Sequence, residues 1–583
     1  MRRWQVHKFG GALLQTADMY RNVGRLLLRE CMGKGADESA AVTPTLAVVS
    51  AMGGMTDNLV AVVRESVHDI DGALELLQRI VARQLETLSA VVAATTTTTL
   101  QNDVEQRIRQ DAGCIEILLR GIHVTRTIPP VSLEVVASYG ELWSMHTLCA
   151  HLQSHYGEGP LTIDWMDTRE IIVVATTGAS GAGLGEKGDV ASTGGVHLRW
   201  DRMQSNCDDW WGRKTAERPG LHQSAGATAL VVAAGFVATT ESGAPTTLKR
   251  SGSDYTATIL ARLFQCARVT LWKNTNGVYT ADPLLVPEAV PIQHLTFDEA
   301  MELAYFGAQV LHPSCMVPCI ESDIPVYVRN ANDPSSPGTE IRGRSMSLIA
   351  RMDAWSLSSS ASSPSLSSLA SSMSSLSSSS STSSLSSSST TASSSTASSS
   401  TASSLPPVEC TAECTRPPIK AVTSVGSVSI VTLEGVTLTF GGVAKVTETF
   451  MAAMVAAGVS ILMITHASSE SCISVVIPES QGTAAMNALR RAFADTLAQA
   501  PSLSRVRVIS DLSIVAIVGE GMCDHIGATA TFMGALAAAR VNIRFIAQGS
   551  SERQVAVVID SPRITAALQA VHASFFSQPR KKS

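Results

Sequence analysis

The sequence predicts an α/β chain: a domain built on a largely parallel sheet, followed by two ferredoxin-like units. Three observations predict it. Strand-like and helix-like stretches alternate from Trp4 to about residue 345, the pattern of parallel strands joined by crossover helices. Residues 356–404, almost wholly Ser with some Ala, Thr and Leu, then interrupt the chain. Beyond Pro418 one β-α-β-β-α plan occurs twice.

The strand-like runs of the first part are residues 5–9, 46–50, 171–175, 230–237, 269–272 and 326–328. Helical stretches lie between several of them, at 18–30, 59–88, 104–120 and 255–264. The five threonines 95–99 read as a surface insertion and the Gly/Ser-rich stretch 176–195 as a loop. The Ser-rich tract cannot bury enough apolar surface to offset its ordering entropy, and reads as a disordered spacer.

The duplicated plan is visible in its loops. Residues 461–477 read ILMITHASSESCISVVI and residues 543–559 read IRFIAQGSSERQVAVVI, both with S-S-E before an apolar strand. Each copy starts with a strand (428–433; 514–518) and an Ala-rich helix (446–457; 528–539), and ends with a second helix (482–500; 564–575). Two copies point to duplication rather than a solenoid. The expected divisions are 1–350, with insertions near 92–100 and 176–226; a linker, 351–418; the two units, 419–500 and 506–576; and a basic tail, 577–583.

Charge and composition exclude several functions. The 583 residues carry a net charge of −6, with no basic footprint for nucleic acid. Arg580-Lys581-Lys582 reads as a solvated tail. The longest apolar runs, such as 230–237, are too short to span a bilayer. The strand-like run from Trp4 leaves no room for a targeting peptide. Eleven scattered cysteines suit reduced thiols and a cytoplasmic setting. Cys315/Cys319 and Cys410/Cys414 have a spacing zinc permits. Pro318 breaks the first pair and the second sits in the Pro-flanked linker, so no metal site is predicted.

The residues suited to chemistry sit in short polar or Gly-rich strings. Lys8-Phe9-Gly10-Gly11 closes the first strand. Glycines there let backbone N–H groups approach a phosphate, and the lysine can neutralise a transferring phosphoryl group. Val48 to Asn58 (VVSAMGGMTDN) places Ser50 and Thr56 at the C-terminal end of a strand, where open α/β sheets bind ligands. Ser138-Tyr139-Gly140-Glu141 reads as a helix start, where the dipole stabilises a carboxylate; the functional reading of Glu141 is a partner for an ammonium group. In Thr246 to Asp254 (TTLKRSGSD), Arg250 can grip a carboxylate bidentately, and Asp254 can orient Lys8 and cap a helix. A turn, Asn276 to Pro283, and a helix ending at His312-Pro313 follow.

In order, the strings KFGG, VVSAMGG-x-T, SYGE, TTLKR-x-GSDY and GVYTADP…AYFGA-x-VLHP resemble the aspartate kinase family, over about residues 4–345. The resemblance resumes at 419–576 with two modules similar to ACT regulatory domains. Asp167-Thr168-Arg169, the TTLKR form and the paired S-S-E loops look most like the kinase half of bifunctional aspartate kinase–homoserine dehydrogenases. The dehydrogenase half is expected to be absent.

The resemblance implies an amino-acid-kinase fold, three layers with a largely parallel sheet, followed by two ACT domains. It implies transfer of the ATP γ-phosphoryl group to the side-chain carboxylate of L-aspartate, the first step toward lysine, threonine and methionine. Lys8 and the backbone of Gly10 and Gly11 would stabilise the phosphoryl group, and Asp254 would hold Lys8. Arg250 and Glu141 would bind the substrate carboxylate and ammonium, with Ser50 and Thr56 nearby. Lys273, Asn274 and Tyr279 fall on the nucleotide side. Magnesium would be held by ATP phosphates and water.

The nucleotide side departs from the family's pattern. Lys273-Asn274 replace Thr-Asp, Asn276 replaces Asp, Leu284 replaces Arg, and Gln309 replaces Lys; Ala12-Leu13 follow KFGG in place of Thr-Ser. The alternative reading is therefore a weak or inactive homologue acting as an amino-acid-binding regulatory subunit. The resemblance also implies a homo-oligomer through the ACT modules, which in such proteins usually pair between subunits. Their effector loops would be 465–470 and 547–552, with His466 and Gln548 at the polar positions. Threonine is the expected inhibitor, with lysine second.

Overall fold

The computed structural model describes residues 4–32, 43–92, 98–157, 161–175, 196–217, 228–249, 251–308, 311–343, 418–435, 443–466, 472–499, 505–549 and 551–576. The strands of the first part are β1 (Gln5–Phe9), β2 (Thr45–Val49), β3 (Leu161–Met166), β4 (Val173–Val174), β5 (Thr228–Ala234), β6 (Val237–Thr240), β7 (Pro245–Thr247), β8 (Arg268–Lys273), β9 (His294–Leu295), β10 (Val326–Asn330) and β11 (Thr339–Ile341). The helices are α1 (Ala17–Met32), α2 (Met55–Glu65), α3 (Ile70–Val91), α4 (Thr98–Thr125), α5 (Pro130–Tyr156), α6 (Trp200–Glu217), α7 (Gly252–Leu263), α8 (Phe297–Tyr305) and α9 (Pro313–Glu321).

Eight strands form one sheet in the order β3-β5-β2-β1-β8-β10-β11-β9. Every neighbouring pair from β3 to β10 is parallel, and β10–β11 is antiparallel. Alternate residues of the strands face opposite sides. Ala47, Val49, Val232 and Ala234 join the core under α1 to α5. Leu46, Val48, Val231 and Ala233 join the core under α6 to α9. Both faces are covered, which gives the expected three layers and explains why these strands read as unbroken apolar runs.

Three differences from the sequence reading have local causes. The run 230–237 is two strands, broken at Gly235-Phe236, where Phe236 takes φ 70°. The stretch 59–88 is two helices, because Asp69 caps α3 by accepting from Gly72 N. The run 171–175 contributes only β4, to a small separate sheet with β6 and β7; β3, which sequence reasoning missed, takes the edge of the large one. Thr98 and Thr99 belong to α4, and residues 93–97 lie outside the described set. The loop expected at 176–195 lies outside the described residues; within the expected insertion 176–226, α6 buries Met203, Cys207 and Trp210 in the core.

The second part has β12 (Ala421–Glu434), α10 (Val443–Ala456), β13 (Met463–His466), β14 (Cys472–Pro478), α11 (Gly482–Ala492), α12 (Ala494–Gln499), β15 (Arg505–Val518), α13 (Ala528–Ala538), β16 (Phe545–Gln548), β17 (Gln554–Asp560) and α14 (Ile564–Phe576). The twofold β-α-β-β-α plan is present, in an antiparallel sheet of order β13-β14-β12-β15-β17-β16. The expected boundary between the units is crossed by both long strands. Ala421 to Val425 pair with Ile514 to Val518, beside β17 of the second unit; Val428 to Glu434 pair with Arg505 to Leu512 and with β14 of the first. Each unit thus borrows its last strand from the other's segment. The strands bend where the exchange happens: the register shifts after Val425, and Ser427 and Asp511 take φ 55° and 59°. Each unit's helices cover one face. The helix-free faces share a third core of Val428, Ile430, Val476, Ile514 and Val558, joined by Phe306 from the first part. The units therefore pair with each other inside one chain.

Candidate active site

β1 lies between β2 and β8, so its C-terminal end opens at the middle of the sheet. Lys8 reaches Asp254 there, Nζ to Oδ1 2.6 Å, and Lys273 at the end of β8 approaches the other oxygen at 3.8 Å. Asp254 lies in the first turn of α7, where the dipole favours a carboxylate. Burial alone would raise its pKa, but Lys8 and Lys273 outweigh that and hold it below the ordinary carboxylate range. Burial, with Lys8 adding to it and Asp254 opposing it, pulls the Lys273 ammonium down. Two ammonium groups sharing one carboxylate leave spare positive charge at the strand ends, where a phosphoryl group can be met.

The two Gly-rich loops pack on each other. A Cβ on Gly11 would stand 2.8 Å from Ala51 O, and one on Gly10 3.7 Å from Lys8 Nζ. Ser50 N donates to Phe9 O at 3.1 Å, which ties the loop after β2 to the end of β1. Thr56 is half-buried in the first turn of α2. It is not the cap: Gly54, at φ 78°, holds that place.

Glu141 corrects one expectation. α5 starts at Pro130, so Glu141 is mid-helix and dipole capping does not account for it. It is 5 % exposed, and its Oε2 has no hydrogen-bond partner. Burial pushes the carboxyl up to about 8, against backbone N–H donors at Ala51 and Glu141 and the charge of Lys8. Gly140 allows this placement, since a Cβ there would come within 3.0 Å of Ala51 Cβ. An incoming ammonium group would supply the missing partner. Arg250 lies outside the described residues; the flanking Lys249 and Ser251 both take left-handed backbone angles, φ 59° and 56°.

Of the residues expected on the nucleotide side, Asn274 is exposed and Tyr279 half-buried. Asn276 accepts a hydrogen bond from Asn330 at 2.7 Å. Leu284 is 90 % exposed, and Gln309 lies outside the described residues. Lys273 is the departure with a visible electrostatic consequence, through Asp254. Sequence reasoning missed Glu134 of α5, whose buried carboxylate accepts from Thr246 Oγ1 (3.0 Å), Thr247 Oγ1 (3.3 Å) and Lys249 Nζ. Its spacing of seven residues before Glu141, on the same helix face, was the available signal.

Of the proposed effector residues, His466 ends β13 opposite Ile473, and its side chain lies outside the described set. Gln548 ends β16 and lines a cleft of about 260 Å³ with Glu302, Tyr305, Met463 and Gln554. Among the described residues no cluster of His, Cys, Asp or Glu is arranged to hold a metal ion, and no helix is long and apolar enough to cross a membrane.

Residues 3–330, more than half of the chain, match the amino acid kinase family. The chain belongs to the amino acid kinase family. Residues 436–493 and 515–575 match the ACT domain. A bifunctional aspartokinase/homoserine dehydrogenase 2, chloroplastic, of Arabidopsis thaliana is 29% identical over 98% of this chain and 51% of its own length. A bifunctional aspartokinase/homoserine dehydrogenase of Haemophilus influenzae is 30% identical over 60% of this chain and 34% of its own. The chain thus spans about half, or less, of the length of these relatives. The solved structure of E. coli aspartokinase III in complex with aspartate and ADP matches this amino acid kinase fold with a TM-score of 0.66 at 20% identity, over 98% of this chain and 99% of that one. The match confirms the fold class, kinase sheet and ACT modules together.

Proposed function

We propose that this chain is an aspartate kinase, EC 2.7.2.4, that transfers the γ-phosphoryl group of ATP to the side-chain carboxylate of L-aspartate. The observation that carries the reading is the Lys8–Asp254–Lys273 cluster at the strand ends, with the unpartnered Oε2 of Glu141 under the charge of Lys8. The relatives named as aspartokinases support the substrate. An oxygen of the aspartate side chain bonds to the γ-phosphorus while the bond to the bridging oxygen breaks, and ADP leaves with that electron pair. The nucleophile is already ionised, so no base is needed; positioning and charge neutralisation do the work. Lys8 meets the transferring group, Asp254 fixes Lys8, Glu141 takes the ammonium, and Arg250 takes the α-carboxylate. Magnesium enters with the nucleotide phosphates.

Lys273 argues against the inactive-homologue reading, because it places a second cation on Asp254 where the family's pattern has none. Regulation follows from the ACT modules: threonine, or else lysine, inhibits by binding at the Gln548 and His466 loops. The oligomer forms through the same modules, in a cytoplasmic setting that suits the nine free thiols among the described residues.

A coupled assay of ADP formation with L-aspartate, ATP and magnesium tests this. Aspartate-dependent turnover that Lys8→Ala abolishes is expected. A folded chain that binds aspartate without turnover would overturn it.

A further inference from the structure

We propose that Glu134 is the positioning residue that shapes the substrate-gripping turn, an inference resting on the aspartate-kinase reading. The turn after β7 is unusual in its backbone. Lys249 and Ser251 both take left-handed angles without being glycine, one on each side of Arg250. Such a backbone persists where its surroundings over-determine it.

Two sets of contacts do so. From the sheet side, Leu248 N donates to Phe236 O at 2.8 Å, and Phe236 N donates to Thr256 Oγ1 at 2.9 Å. Gly252 packs so closely that a Cβ would lie 2.5 Å from Phe236 Cδ2. From the other side, Glu134 reaches down from α5. Its Oε2 accepts from both threonine hydroxyls, and its Oε1 meets the Lys249 ammonium. The Glu134 and Thr247 side chains are buried, while Lys249 is 41 % exposed at the side chain. All three donors therefore belong to one short segment, and one buried carboxylate satisfies them.

The placement on α5 gives this a consequence for binding. Glu134 and Glu141 are two helical turns apart, roughly 10 Å along the axis. One rigid, buried helix carries the carboxylate that meets the substrate ammonium and the carboxylate that sets the turn bearing Arg250. α5 thereby carries both the proposed ammonium partner and the anchor of residues 246–249, and Glu134 acts on the substrate only through that segment. Loss of the Glu134 charge frees Lys249 and weakens the bonds from the threonine hydroxyls, and the turn relaxes from its left-handed geometry. The nucleotide side has no part in these contacts.

Initial rates on the full chain test it, with aspartate and ATP varied separately. Glu134→Gln keeps the shape and removes the charge; the expected result is a KM for aspartate raised about tenfold or more, with kcat and the KM for ATP within about twofold. Lys249→Met, at an exposed side chain, tests the same turn without disturbing α5. It should raise the aspartate KM in the same direction by a smaller factor, and the double variant should be no worse than Glu134→Gln alone. An aspartate KM unchanged in both variants would overturn the inference. So would a parallel loss in kcat and in both KM values with a lowered melting temperature, the signature of mere destabilisation. If Glu134→Gln fails to fold, Lys249→Met decides alone. A wild-type chain with no aspartate-dependent turnover would instead overturn the kinase reading, and this inference with it.

Discussion

Glu141 is a buried carboxyl group in the middle of a helix, under the charge of Lys8. Its pKa stands at about 8 in the fold against an ordinary 4.5. Between those values the folded chain retains a proton that the unfolded chain has lost. Stability of the substrate-free protein therefore falls as pH rises from about 5 to about 8. Denaturant melts of Glu141→Gln should show a flatter pH dependence over that window than the wild type. Aspartate should restore wild-type stability most strongly at the alkaline end, where its ammonium meets an ionised partner. At the cluster itself, Lys8→Ala should cost about 10³-fold or more in kcat while calorimetric aspartate binding survives. Lys273→Met should cost about 10-fold to 100-fold in kcat with the aspartate KM little changed. Unaltered turnover in the second variant would return Lys273 to a structural role.

At the scale of elements, the site depends on how closely two loops and one helix approach. Gly11 faces Ala51 O at a distance no Cβ tolerates, so Gly11→Ala must separate the two Gly-rich loops. We expect at least a tenfold fall, about, in kcat/KM for ATP with only a modest change in melting temperature, checked by initial rates and calorimetry. These loops were legible in the sequence because their requirement is local: glycines and small polar residues just after a strand. The same holds for Asp254, which opens a helix within a Gly/Ser-rich turn. Glu134 was legible only through its spacing of seven from Glu141; its role was not, because its partner Thr246 is 112 residues away. Glu141 was placed in the right string but at the wrong point of its helix. The apolar stretch before it carries no amphipathic pattern, being buried on nearly every side from Ser132 to Leu152, so its start could not be read from periodicity. The missed β3 is explained by its composition, since Thr162 and Asp164 break the apolar run of an edge strand.

Over the whole molecule, the ACT units hold the loop after β8 directly. Val422 N donates to Thr280 O at 2.8 Å, and Thr280 Oγ1 is 2.9 Å from His572 Nε2 of α14. Burial lowers the His572 pKa against the charge of Glu288, which favours the neutral imidazole, and the donor in the bond to Thr280 depends on its tautomer. Tyr305 donates to Leu462 O and Thr423 donates to Phe306 O, both at 2.7 Å. If the ACT units bind an effector, these bonds are the route by which it would reach the loop that follows β8. His572→Phe should leave uninhibited turnover within about twofold and raise the effector concentration for half-inhibition. Gln548→Ala should do the same by weakening effector binding, separable from the first by calorimetry with threonine and with lysine. Identical inhibition curves for wild type and His572→Phe would remove this route.

The strand exchange between the two regulatory units also has a meaning in time. A chain made from its N-terminus presents residues 421–425 early, but their partners, Ile514 to Val518, come only after the whole of the first unit. At roughly 5–20 residues per second, that apolar segment waits on the order of ten seconds for its place. The first unit can close only once Arg505 to Leu512 are made, and the second only if Ala421 to Val425 of the earlier segment are still free to pair. A fragment starting at residue 506 would lack a strand that no later part of its own sequence supplies.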